Sequence, residues 1–125
     1  MKRTIYYLGN EFIEKDNLAI LIVNEIKDKF PDILFKKINT FDDLIDFSGK
    51  EYFIDVAKGI DRVRLITDIK EFEGIKSATA HDIDFSFFLQ LNNKLGHIDK
   101  IKIICLPQEK YKNIKDDVIN IIKKI

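Results

Sequence analysis

The chain has 125 residues, of which 46% are hydrophobic and 34% are charged, a composition typical of one soluble globular domain. Lys plus Arg equals Asp plus Glu at 21 each, so no net charge attracts nucleic acid or an anionic membrane surface. The apolar runs are too short to cross a bilayer, and we expect neither a signal peptide nor a membrane anchor from the first residues. A single cysteine, Cys105, excludes an intrachain disulfide and a multi-cysteine zinc site. We therefore expect one cytoplasmic domain over residues 1–125, with neither a nucleic-acid nor a membrane partner.

Strand-like and helix-like segments alternate along the chain. Short β-branched and aromatic runs predict strands at residues 4–8, 33–35, 52–57, 63–66 and 101–106. Apolar residues at spacings of three and four predict helices at residues 16–30, 40–47, 83–95 and 111–125. Residues 67–79 show no clear period and are expected to form a long loop. This alternation predicts an α/β fold, a three-layer α/β/α sandwich around a mostly parallel five-stranded sheet.

The third predicted strand contains a carboxylate in an otherwise apolar run, Tyr52-Phe53-Ile54-Asp55-Val56-Ala57. Such a run is expected of a central strand that is covered on both faces. Burying a carboxylate there costs free energy unless a cation or several hydrogen-bond donors compensate it, and the adjacent residues carry no charge. Asp55 is therefore the clearest sign of a functional site.

Polar residues at the carboxyl ends of strands are the best candidates, because open α/β sheets bind their ligands there. Three residues meet this condition: Asp16 after the first strand, Asp55, and His81 at the start of the helix after the long loop. Taken singly, Asp16 is as readily a helix N-cap, and a histidine at a helix start such as His81 is more often structural than a ligand. Together, two carboxylates and one imidazole predict an open site for zinc, nickel or manganese rather than calcium. His97, beside a helix end, is a weaker candidate.

Common catalytic motifs are missing. The sequence has no Gly-x-Ser-x-Gly, no His-Glu-x-x-His and no glycine-rich phosphate-binding motif. Cys105 lies in an apolar run and is expected to pack in the core.

The order of these features resembles the hydrogenase maturation proteases, which trim the C-terminal extension from the large subunit of nickel-iron hydrogenases. In that family the first strand ends in Gly-Asn before an acid that opens the first helix, as in the segment Gly9 to Asp16. A hydrophobic strand that ends in aspartate matches Phe53-Ile54-Asp55-Val56, and a histidine after small residues matches Ser77-Ala78-Thr79-Ala80-His81. The resemblance extends to Pro107.

The resemblance implies a function for the three candidate ligands. Asp16, Asp55 and His81 would bind the nickel already installed in the hydrogenase large-subunit precursor, or another divalent ion such as zinc. A metal-held water or hydroxide would then attack the peptide bond. The chain would be a metal-dependent processing endopeptidase.

The segment Lys37-Ile38-Asn39-Thr40 departs from the family, which has an Asp-Gly-Gly-Thr turn after the second strand. Asn39 and Thr40 would be the substrate-binding residues of this turn. The lost glycines leave open a divergent member that binds metal or the precursor without cutting it.

A response-regulator receiver is the alternative from another class, because it has the same length and an aspartate that ends the third strand. A receiver also has an acidic pair after the first strand and a lysine before the last proline. Here these positions are Gly9-Asn10 and Leu106, so this alternative is the weaker one.

Overall fold

The computed structural model describes residues 3–8, 17–39, 43, 47–57, 59–67 and 102–125. Within these residues five strands form one sheet: β1 Arg3–Tyr7, β2 Ile33–Lys37, β3 Tyr52–Val56, β4 Arg64–Ile66 and β5 Lys102–Leu106. Two α-helices are described, α1 Leu18–Ile26 and α2 Ile114–Lys124, and a 3₁₀ helix, Lys27–Lys29, directly follows α1.

The strands lie in the order β2-β1-β3-β5-β4, with every neighbouring pair parallel except β4 and β5, which are antiparallel. The predicted α/β fold with a mostly parallel five-stranded sheet is therefore confirmed, and β3 is the central strand as expected. None of the helices in the described part of the chain is long and apolar enough to cross a membrane.

One face of the sheet packs against α1 and α2. Successive side chains of a strand point to opposite faces, so alternate residues of each strand contribute to this core. Its strand members are Ile5, Ile33, Ile54, Val56, Ile104 and Leu106. The helices add their apolar stripes, Leu18, Ala19, Ile22, Val23 and Ile26 from α1 and Ile114, Val118, Ile119 and Ile122 from α2.

The other face of the sheet carries an aromatic cluster of Tyr6, Phe47 and Phe53, with Tyr6 and Phe53 stacked at 5.6 Å between ring centroids. Ile66 and Ile103 are also fully buried on this face. The helices predicted at residues 40–47 and 83–95, which would supply the second helical layer, lie largely outside the described residues.

Several element boundaries differ from the sequence prediction. Helix α1 begins at Leu18, and Asn17 does not cap it through its side chain, because its backbone (φ −89°, ψ 0°) is already helical. Helix α2 begins at Ile114 rather than at residue 111. The Tyr111 hydroxyl instead accepts a hydrogen bond from the Val63 N–H (3.2 Å) and donates one to Asp117 Oδ2 (2.6 Å). This bond pair joins the chain before β4 to α2.

Candidate functional site

Asp55 is the penultimate residue of β3. Among the residues that the structure describes, it is the one charged residue that is buried, with 1% of its surface exposed. Its Oδ1 atom accepts a hydrogen bond of 2.8 Å from the N–H of Val56, the next residue. This bond fixes the orientation of the carboxylate relative to the end of the strand. The sequence prediction of a buried carboxylate in the central strand is confirmed.

The strands on either side of β3 give Asp55 apolar neighbours. The parallel register pairs it with Cys105 of β5, which is fully buried. On the other side, Tyr7 pairs with Ile54 and the Leu8 N–H donates to the Ile54 carbonyl (2.9 Å), so Leu8 follows in register beside Asp55. Paired residues point to the same face of a sheet. The carboxylate therefore lies in a row between the buried residues Leu8 and Cys105.

Leu8, Asp55 and Cys105 form a row of paired side chains across the sheet, and Arg64 of the edge strand β4 extends this row. It pairs with Cys105 across the antiparallel β4–β5 ladder, so its side chain lies on the same face as that of Asp55. Two strand spacings separate the two backbones, about 10 Å. Arg64 is exposed, whereas Cys105 and Asp55 are buried.

The chain after β2 reaches the same end of the sheet as Asp55, because β2, β1 and β3 are parallel and their carboxyl ends lie together. The Ile38 N–H donates to the Tyr7 carbonyl (3.0 Å) and continues the strand pairing, and the Ile38 side chain is buried. Asn39 follows and is exposed, and its N–H donates to Asp43 Oδ2 (2.7 Å). Asn39 therefore lies at the carboxyl end of β2, where the substrate-binding segment was predicted.

Asp43 was missed in the sequence analysis as a contributor to this region. Its carboxylate accepts the Asn39 N–H and so holds the chain just after β2. The available signal was its position four residues after Asn39, near the start of a predicted helix, where an acidic side chain commonly accepts backbone N–H groups.

The remaining predicted ligands, Asp16 and His81, lie outside the described residues, as do Thr40 and the weaker candidate His97. Among the residues that the structure describes, no three His, Cys, Asp or Glu side chains form a group that could hold a metal ion. The three-ligand site therefore stays a prediction. Its one described member, a buried and oriented carboxylate at a strand end, is suited to binding a divalent cation.

Comparison with known proteins gives matches at the level of structure. No protein-family model and no curated protein sequence matches the chain. Its structure is similar to that of the [NiFe] hydrogenase maturation protease HybD from Thermococcus kodakarensis, with a TM-score of 0.64 and 18% sequence identity over 99% of this chain and 98% of that one. It is also similar to an uncharacterized protein from Wolinella succinogenes, with a TM-score of 0.61 and 12% identity over 99% and 96% of the two chains. At these identities the likeness establishes a shared fold along nearly the whole chain.

Proposed function

We propose that this protein is a processing endopeptidase that removes the C-terminal extension of a nickel-iron hydrogenase large subunit after nickel insertion. The observation that carries the proposal is the buried carboxylate of Asp55 at the carboxyl end of the central strand. It occurs in a chain whose fold is similar to that of a hydrogenase maturation protease. Asp16 and His81 complete the proposed metal site.

Asp55 acts as a metal ligand in this proposal. The Val56 N–H engages Oδ1, which orients the carboxylate before any ion arrives. Leu8 and Cys105 are buried beside it in the same row, so solvent would screen a cation bound to this carboxylate only weakly. A divalent ion at such a site supplies Lewis-acid chemistry when bound. Because the nickel belongs to the precursor, its recognition makes cutting conditional on nickel loading.

Asn39 and Thr40 bind the substrate polypeptide in this proposal. Asn39 is exposed at the same end of the sheet as Asp55, and its backbone N–H is held by the Asp43 carboxylate. The residue before it, Ile38, is paired with Tyr7 and buried, so the chain here is anchored up to Asn39. A substrate would meet an ordered surface at this point rather than a glycine turn.

The direct test incubates the purified protein with the nickel-loaded large-subunit precursor from the same organism and measures the mass of the product. We expect the wild type to shorten the precursor, and Asp55→Asn, Asp16→Ala and His81→Ala to lower the rate at least about 100-fold, since each removes a ligand. Asp61→Asn, which changes an exposed aspartate in the loop before β4, serves as the matched control and should retain the wild-type rate. Cleavage that persists in all three ligand variants contradicts the proposal.

The second candidate is a protein of the same fold that binds metal or the precursor without cutting it. The anchored, buried Ile38 favours it, because a glycine-containing turn is replaced here by a residue committed to the core. Such a protein would co-purify with the precursor and leave its mass unchanged.

A receiver domain receives little support from the site. Leu106, at the position of the receiver lysine, is buried in the core. Incubation with acetyl phosphate should therefore add no phosphoryl group to the protein by mass spectrometry.

A further inference from the structure

The edge strand β4 brings a cation into the row of side chains that contains Asp55. The register pairs Asp55 with Cys105 and Cys105 with Arg64, and all three side chains lie on one face at one end of the sheet. The row passes from a buried carboxylate through a buried thiol to an exposed guanidinium. A molecule that covers the end of the sheet at Asp55 also approaches Arg64.

No described residue makes a hydrogen bond to the Arg64 side chain. No described carboxylate forms an ion pair with Arg64. Lys110 and Lys115, by contrast, both pair with Glu25. Arg64 itself is exposed on the edge strand, so its guanidinium can be reached by a ligand from solvent. A guanidinium offers two parallel N–H donors that match a carboxylate, and such pairs are stronger than neutral hydrogen bonds.

We infer that Arg64 is a specificity-determining residue that binds a carboxylate of the substrate polypeptide. This inference rests on the proposed function and names one recognition feature of that site. The backbones of Asp55 and Arg64 are about 10 Å apart, a distance that an extended polypeptide covers in about three residues. The carboxylate therefore lies within about four residues of the group bound at Asp55.

A competing explanation is that Arg64 only protects an edge strand from pairing with other chains, a common use of charge at such positions. The two explanations differ in their dependence on the sign of the charge. A negative residue protects an edge as well as a positive one, but it repels a carboxylate. Arg64→Glu therefore separates them, and Arg64→Lys keeps the positive charge without the two-pronged geometry.

The test measures the binding of the nickel-loaded precursor to immobilised wild type, Arg64→Lys and Arg64→Glu at low and high salt, together with cleavage. Lys29→Glu is the matched control, because Lys29 is also exposed but precedes β2 and so lies at the opposite end of the sheet. We expect binding to weaken at least about tenfold in Arg64→Glu and less in Arg64→Lys. The loss should shrink at high salt because the site is exposed, and Lys29→Glu should bind like the wild type. Equal unfolding temperatures of the variants show that the fold is retained.

Changes in the precursor identify the source of the carboxylate. If a single acidic side chain is bound, its replacement by lysine restores binding to Arg64→Glu; if no replacement does so, the bound group is the terminal carboxylate. Unchanged binding by Arg64→Glu, or no binding by the wild type, overturns the inference. Reduced binding by Arg64→Glu with no cleavage by the wild type overturns the peptidase proposal alone, so the two failures are distinguishable.

Discussion

At the scale of single residues, Glu51 shows how one carboxylate organises the turn before the central strand. It accepts hydrogen bonds from the Ser48 hydroxyl (2.8 Å), the Ser48 N–H (3.0 Å) and the Lys50 N–H (3.1 Å). Gly49 lies between these donors with a φ of 91°, a conformation that side chains disfavour. The turn thus leads the chain directly into β3, the strand that carries Asp55.

The hydrogen bonds of Glu51 predict a pH-dependent contribution to stability. Partial burial acts to raise the pKa of Glu51, but the donors from Ser48 and Lys50 outweigh it and lower the pKa below its ordinary value of 4.5. A lowered pKa in the folded state means that the stabilisation is fully present above pH 4.5 and is lost as the pH falls through the folded-state pKa. Glu51→Gln should therefore lower the free energy of unfolding near neutral pH and cost progressively less in acid.

Urea unfolding of the wild type and Glu51→Gln across the acid range checks this expectation. Glu109→Gln is the control for the loss of one negative charge, because Glu109 is exposed in the loop after β5, and it should leave the free energy of unfolding near neutral pH close to that of the wild type. A difference between the wild type and Glu51→Gln that stays constant down to strong acid would show that the carboxylate charge is not the source of the effect.

At the scale of elements, the inner and edge strands carry very different shares of the stability. Ile104 of β5 is fully buried between β3 and β4, whereas Leu34 of the edge strand β2 exposes 49% of its surface. Ile104→Ala should lower the free energy of unfolding by about 2–5 kcal/mol, because it removes buried methyl groups and leaves a cavity. Leu34→Ala should change it by about 0.5 kcal/mol. If urea unfolding shows equal losses of the free energy of unfolding for Ile104→Ala and Leu34→Ala, this placement of the core is contradicted.

The strands that the sequence predicted best are those with the most continuous apolar runs, β3 and β5. Both are buried on their two faces, and such strands are apolar at nearly every position. The antiparallel direction of β4 was not predictable, because three alternating residues carry no information on direction. The start of α2 was misplaced because the ring of Tyr111 continues the helical period, although its hydroxyl is used to join Val63 and Asp117.

The candidate site was predictable to the same limited extent. Asp55 was identified because a charge in an apolar run is visible in the sequence itself. Its neighbours Cys105 and Arg64 were not associated with it, because strand pairing brings them together from distant parts of the chain and the sequence does not specify the pairing order. Register, rather than residue type, revealed the row that joins them.

At the scale of the whole molecule, the fold likeness and the buried carboxylate lead to a prediction about unfolding that does not depend on catalysis. A ligand that binds the folded chain alone raises its free energy of unfolding, by about 1.4 kcal/mol when its free concentration is ten times its dissociation constant. For a chain of this length that corresponds to a rise in Tm of about 5 °C. If Asp55 is a ligand, nickel or zinc ions should raise the Tm of the wild type in this way, and a chelator should reverse the rise.

Asp55→Asn should show no such rise, because the amide is a poor ligand for a divalent cation while its oxygen still accepts the Val56 N–H. Comparison of the metal-free Tm of this variant with that of the wild type separates loss of binding from loss of the fold. Asp61→Asn controls for ions bound at the surface and should keep the full rise. Equal rises in the wild type and Asp55→Asn would place the ion elsewhere in the chain and contradict the proposal that Asp55 is a metal ligand.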